Sequence, residues 1–435
     1  MFSWLQQLTP ATNVAGPVLV AYVLLIVFLI VVLARILGNL MLKLNQPRVV
    51  GEILAGIALG PTLLGSNLSK VVAPVEARAT VGVIATLGLI LFMFLAGVEF
   101  DAERVKPKAK QASLLALLSV ALPAILGFPV AQMMHTTVYA GPAGAEFLPF
   151  ALFIGAALSV TAFPVMAHIL MERGELNSPM GSLGVATTGI MSILMFLFIA
   201  FAGAVATSMA SGAGFTNFLL TIVYIILFGL ISWYGVRPFL TRVLPNTSTL
   251  TGNHMAIIFG GLVLYGLIAH QLKINALVGG FVWGMILPNA PELRKAIAAK
   301  VQDVALVFLL PIFFANAGFL ADLKLITLQT LPVTLLVLAA SIAGKFLAAI
   351  PARSFGLQWR EVGFLGALFN TRGLLVLVVG LIGLELNIIT NLTFSITVVV
   401  ALATNLMTLP LLNLFSRTSE TPQLVTAVSP TNEPG

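Results

Sequence analysis

Residues 366–380 read GALFNTRGLLVLVVG, and Asn370, Thr371, Arg372 and Gly373 interrupt an otherwise apolar span over 361–383. A cation at bilayer depth costs at least about 2.5–3.5 kcal/mol on insertion scales, so Arg372 needs a partner or water. Backbone freed from a helix at that depth is tolerated only where protein buries it or where it lines a cavity. The stretch therefore predicts a discontinuous membrane helix. A second such stretch is GAALSVTAFPVMAHIL (155–170), with Ser159, Thr161 and Pro164 mid-span. Proline removes a backbone donor and disfavours helix in the residue before it. Each interrupted span is followed by one long apolar span, and the two polar centres lie about 210 residues apart. Two interrupted spans at matching positions of two halves point to a transport site between repeats. Either break alone would read equally well as an ordinary kink.

The rest of the chain supports a membrane setting. Of 435 residues, 59% are apolar and 9% charged. Apolar runs of about 20 residues, each able to cross the hydrocarbon, recur throughout. They predict an all-α polytopic membrane protein with about thirteen spans, near 17–35, 49–65, 79–98, 112–134, 147–171, 180–209, 216–236, 255–270, 273–290, 304–321, 331–352, 361–383 and 389–414. The tail 416–435, rich in Pro, Ser and Thr, is expected to be a disordered cytoplasmic segment with no soluble domain. The N-terminus lacks a basic n-region, so no cleaved signal peptide is expected.

Charge and motif content exclude several classes. The net charge of +7 would suggest nucleic acid in a soluble protein, but here it fits loop charges that orient the chain. With the N-terminus outside, the cytoplasmic loops collect Arg48, Lys106, Lys108, Lys110, Arg294 and Lys295 among others, and only Lys70, Arg78, Lys273 and Lys324 fall outside. That asymmetry predicts an N-out, C-in topology. There is no cysteine, so no thiolate metal site, disulfide or Cys nucleophile. The four histidines are scattered, and there is no phosphate-binding glycine loop or catalytic constellation. No enzyme, cofactor, resident metal or nucleic-acid partner is expected.

Lys345, in SIAGKFLAAIP (341–351), is a second intramembrane cation. It lies eight residues from Arg353, about 12 Å of helix, too far for its side chain to reach the membrane surface. Glu52, in VVGEILAGIALGP (49–61), is near the start of its span and reads either as a functional acid or as an interfacial partner of Arg48. Thr187, Thr188 and Ser192 form a polar run inside GVATTGIMSILMF (184–196). Thr188 and Ser192 share a helix face. They could line a pocket, or hydrogen-bond to the preceding turn as membrane serines and threonines commonly do.

Taken in order, QPRVVGEILAGIALGPTLLG (46–65), LFMFLAGVEFD (91–101), GAALSVTAFPVMAHILMERGELN (155–177), LPIFFANAG (310–318), GKF (344–346) and GALFNTRGLLVLVV (366–379) resemble the monovalent cation:proton antiporter superfamily. The branch is that of bacterial Na⁺/H⁺ or K⁺/H⁺ antiporters and plant cation/H⁺ exchangers. The resemblance runs over about residues 17–415, nearly the whole chain. It implies inverted repeats with two crossed discontinuous helices, a core around 112–209 and 304–414, and remaining spans forming a panel region that makes a homodimer. It also implies an elevator-type movement of the core.

The resemblance further implies an acidic pair in the span after the first break, the second acid carrying proton and cation by turns. Alignment places Met191 and Ser192 there. Val376 stands where many relatives have Glu, and His168 where relatives often have Arg. A buried carboxylate suits exchange because a bound cation and a bound proton compete for it. Ser192 can offer a cation an oxygen but does not release a proton near neutral pH. The ion pathway expected on these grounds comprises Ser159, Thr161, Thr187, Thr188, Met191, Ser192, Lys345, Asn370, Thr371 and Arg372. Thr161, Ser192 and Thr371 are candidate oxygen ligands, and Lys345, Glu52 and His168 are candidate proton sites. The expected function is exchange of Na⁺ or K⁺ for H⁺ across a bacterial inner membrane. Two other readings remain. One is transport of an anionic or organic solute, favoured by Lys345 and Arg372 without an acid. The other is a non-transporting sensor or partner subunit.

Overall fold

The computed structural model describes residues 16–44, 46–99, 109–141, 146–162, 166, 169–170, 173, 175, 178–210, 214–245, 249–272, 276–372 and 374–416. These residues are helical apart from short connections and one isolated antiparallel bridge, Ala140 to Ile389. In chain order the α-helices are α1 (Gly16–Lys43), α2 (Arg48–Leu59), α3 (Pro61–Val72), α4 (Val75–Glu99), α5 (Ala109–Met134), α6 (Phe147–Ser159), α7 (Pro179–Ala210) and α8 (Gly214–Leu230). There follow α9 (Arg237–Val243), α10 (Gly252–Gln271), α11 (Ala276–Met285), α12 (Pro291–Gln302), α13 (Leu310–Leu320), α14 (Leu331–Ala349), α15 (Trp359–Phe369), α16 (Leu374–Glu385) and α17 (Asn391–Phe415). Two wider π-helical turns, Ile231–Val236 and Asp303–Leu309, join α8 to α9 and α12 to α13. Each precedes a proline at the start of the next helix, Pro238 and Pro311.

Among the described residues, ten helical stretches are long and apolar enough to cross a membrane, and 147–159, 276–285 and 375–385 are shorter apolar helices. The helical stretch from Pro291 runs without a break to Leu320, where the sequence suggested a span beginning at 304. Arg294, Lys295, Lys300 and Asp303 make its first turns too polar to read as membrane. Both expected breaks are real ends of helix. The first half-helix, α6, stops at Ser159, and Val160 is extended (φ −59°, ψ 140°). The second, α15, stops at Phe369, and α16 resumes at Leu374. The tail 417–435 lies outside the described residues.

Close helix crossings at small residues set the positions around the breaks. A Cβ on Gly127 of α5 would lie 2.6 Å from Cα of Gly155 of α6. One on Gly344 of α14 would lie 2.9 Å from Cα of Pro123 of α5. Without a side chain at these points, backbones approach as membrane helices do at small residues. Helices α5, α6 and α14 are thereby drawn together, with Lys345 next to one of the contacts.

Candidate ion pathway

The two breaks lie against each other. The Thr161 hydroxyl donates to the Phe369 carbonyl at 2.6 Å, and the Ala162 amide donates to the Thr371 carbonyl at 2.8 Å. Each interrupted segment thus satisfies main-chain groups that the other's helix end leaves open. The Arg372 amide in turn donates to Oδ1 of Asn405 on α17, at 3.1 Å.

Arg372 and Lys345 are both fully buried. Among the described residues neither forms an ion pair with a carboxylate; the ion pairs there are Arg173–Glu175 and Glu292–Lys295. Their partners are main-chain carbonyls. The guanidinium of Arg372 donates through its two terminal nitrogens to the carbonyls of Ala157 and Leu158, the latter at 2.6 Å. Lys345 Nζ donates to the carbonyl of Ser159 and, at 2.9 Å, to that of Ser119. Three consecutive carbonyls at the C-terminus of α6 are therefore held by two cations. That end of a helix carries partial negative charge and lacks intrahelical donors. Hydrogen bonds to charged groups contribute about 1.5–3 kcal/mol each, so the two made by Lys345 can offset the ~2.5–3.5 kcal/mol insertion cost without an acid. The positive charges sit at a helix C-terminus rather than adding to helix N-termini as the anion reading required.

The Ser119 acceptor has its own sequence cause. Residue 123 should donate its amide to the carbonyl of residue 119, but it is proline, and Pro123 lies inside α5. The freed carbonyl is the one that Lys345 uses. Ser159 fastens the other side: its hydroxyl donates to the carbonyls of Gly155 and, across to α5, Val120, at 2.7 and 2.8 Å.

Other buried polar atoms around the crossing have no hydrogen-bond partner among the described residues. They are the Asn370 side-chain amide, Thr371 Oγ1, Thr187 Oγ1, Ser119 Oγ, Ser341 Oγ, Asn405 Nδ2 and Arg372 Nε. Buried polar groups are rarely left so, and each such group is a place suited to a water or an ion. Thr188 Oγ1 lies 2.8 Å from the Gly184 carbonyl and 3.2 Å from Met166 Sδ, beside the first break. Ser192 is only partly buried and donates to the Thr188 carbonyl of its own helix at 3.0 Å. Met191 is buried in an apolar cluster with Met166, Leu368 and Phe369. Val376 is buried in the main apolar core. The structure thus brings Ser159, Thr161, Lys345, Asn370, Thr371 and Arg372 into one crossing, with Thr188 beside it. Glu52 stands apart, partly buried near the start of α2, under the charges of Arg35 and Arg48. His168 lies outside the described residues. Sequence reasoning missed Ser119, Ser341 and Asn405. The proline four residues after Ser119 was the available signal for the first, and polarity within an apolar span for the others.

The family model described as "Sodium/hydrogen exchanger, transmembrane" matches residues 7–414. The Na(+)/H(+) antiporter NhaS4 of Synechocystis sp. is 35% identical over 393 residues, covering 88% of this chain and 95% of that protein. Cation/H(+) antiporter 20 of Arabidopsis thaliana is 30% identical over 418 residues, 91% of this chain. The alignment takes in 49% of the plant protein, so the chain spans about half the length of that relative. Among solved structures, the sodium proton antiporter MjNhaP1 of Methanocaldococcus jannaschii matches with a TM-score of 0.65 over 90% of this chain and 96% of that one. At 14% identity this is a likeness of fold. Over nearly its whole length, the chain belongs to the family of transmembrane sodium/hydrogen exchangers.

Proposed function

We propose that the chain is a secondary transporter exchanging a monovalent cation, Na⁺ or K⁺, for protons, with the crossing of the two breaks as the ion pathway and Lys345 as the proton-carrying group. One observation carries this reading: a fully buried lysine at the crossing whose hydrogen-bond partners are carbonyl oxygens. An amine so placed can give up its proton without leaving a carboxylate behind. The relatives' names support cation/proton exchange as the reaction. Thr161 and Thr371 are further oxygen donors beside the two breaks, and Thr371 Oγ1 is unpartnered among the described residues. Ser192 belongs to the pathway only if its hydroxyl turns away from its own helix.

The same reading includes thirteen crossings with the N-terminus outside, a core around 112–209 and 304–414, a homodimer through the remaining spans, and elevator movement in a bacterial inner membrane. The lysine and arginine asymmetry of the loops and the family's fold support it. An anionic substrate is disfavoured because both buried cations are directed at carbonyls of α6.

The test is a pH-gradient assay on the purified protein in liposomes. Na⁺, K⁺, Li⁺ or Rb⁺ is added in turn to vesicles carrying a preformed proton gradient. Cation-dependent collapse of the gradient is expected. No response from correctly inserted protein would leave the non-transporting reading.

A further inference from the structure

The oxygens around Lys345 Nζ have the makings of a site that an alkali cation could also use. The Ser119 carbonyl lacks its helical donor because of Pro123, and the Ser159 carbonyl lies at the end of α6. Both accept from Nζ. Two hydroxyls lie close in sequence to these groups, one on Ser119 itself and one a helical turn before Lys345. Ser119 Oγ and Ser341 Oγ are fully buried and have no hydrogen-bond partner among the described residues. Ser341 precedes Lys345 by one helical turn, so the two share a face of α14. Uncharged backbone carbonyl oxygens replace the hydration shell of K⁺ in selective pores, and a hydroxyl oxygen has lone pairs to offer in the same way.

We propose that the carbonyls of Ser119 and Ser159, with the hydroxyls of Ser119 and Ser341, form a monovalent-cation site occupied by turns by the Lys345 ammonium and by Na⁺ or K⁺. The proposal rests on the antiport reading and deepens it. The step balances simply. The Lys345 N–H bond breaks, the proton goes to solvent, and the electron pair stays on Nζ as a neutral amine. The cation then takes the oxygens that the ammonium held. Site charge is +1 before and after, so exchange is one for one and needs no carboxylate. This accounts for a family member whose crossing holds two cations with carbonyl partners.

Helices α5, α6, α15 and α17 pack on α14. Lys110 opens α5, Glu146 precedes α6, and Arg360 and Glu361 open α15. All four lie at helix starts, and Lys110, Glu146 and Arg360 are exposed. Helix α17 has no charged residue. Arg372 is the other cation at the end of α6 and stays on its own two carbonyls through the exchange.

The experiment measures proton release from the purified full chain in detergent, in weak buffer with a pH indicator. NaCl or KCl is titrated in, with choline chloride as the ionic-strength control. About one proton per chain is expected at saturation, set by the single amine that cycles. Lys345→Gln and Lys345→Arg should release none. Pro123→Ala is the decisive variant, since it restores a helical amide donor to the Ser119 carbonyl while favouring the helix. It should raise the cation concentration for half-release about tenfold, the worth of one such ligand. The double variant Ser119→Ala/Ser341→Ala should raise it by a similar factor. Unchanged half-release in both, release persisting in Lys345→Gln, or no release from the wild type would each overturn the site. Vesicle exchange run in parallel separates the two readings. Wild-type exchange that both sets of variants leave untouched would remove this site and keep antiport. Proton release without vesicle exchange would keep the site and remove antiport.

Discussion

Arg372→Lys is the most informative single change to the scaffold of the crossing. Arginine presents two terminal nitrogens in a fixed fork, and here they meet the carbonyls of consecutive residues, Ala157 and Leu158. A lysine keeps the charge but is shorter, and its one nitrogen cannot occupy the two separate positions from which the guanidinium nitrogens meet these carbonyls. One of the two bonds is lost, and a buried carbonyl at the end of α6 is left open. A hydrogen bond to a charged group contributes about 1.5–3 kcal/mol, so the variant should be less stable by roughly that amount. Arg372→Leu loses both bonds, about 3–6 kcal/mol, but is relieved of the ~2.5–3.5 kcal/mol cost of holding a cation at depth. The leucine variant should therefore be destabilised no more than the lysine variant, an order opposite to chemical similarity. The assay is reversible denaturation in bicelles, followed by tryptophan fluorescence. A lysine variant as stable as wild type would refute the capping argument, as would a leucine variant several kcal/mol worse than lysine.

Three further outcomes are expected. Gly344→Ala puts a methyl 2.9 Å from Cα of Pro123, so it should cost about 1–3 kcal/mol and weaken exchange by moving Lys345 off Ser119; Gly260→Ala, where nothing lies within 4 Å, should leave both stability and exchange intact or slightly improve stability. Thr161→Val removes the hydroxyl bond between the breaks and should lower stability by about 0.5–1.5 kcal/mol in the same denaturation assay. Protons should inhibit cation uptake competitively, raising the apparent KM as pH falls and leaving the maximal rate unchanged, because both compete for one site; vesicle uptake at saturating cation checks this.

The membrane helices and both breaks were legible because apolar length and mid-span polarity are one-dimensional signals. Arg372 and Asn370 marked the second break within a residue or two, and α6 ends at the Ser159 singled out from sequence. The partners of the buried cations were not legible. Sequence reading found no acid for Lys345 and named no other acceptor, but the acceptors are main-chain carbonyls, which every residue carries and which only proline or a helix end sets free. Pro123 was the one visible mark. The alignment to the acidic pair fell on Met191 and Ser192, yet Met191 packs among apolar side chains and the Ser192 hydroxyl is satisfied by its own helix. Thr187, a turn earlier, has the unpartnered hydroxyl. Which members of a polar run face a crossing depends on helix rotation, which a span uniformly apolar around its circumference does not reveal.

The most direct measurement of the central claim is the ratio of protons to cations moved, by isotope uptake and pH indicator together, in vesicles with the membrane potential clamped at zero and then at an inside-negative value. A site whose charge stays constant while Lys345 and the cation alternate should move one proton per cation, at a rate indifferent to the potential, and Lys345→Gln should abolish the coupling. A ratio other than one, a rate that follows the potential, or coupled exchange persisting in Lys345→Gln would contradict the account.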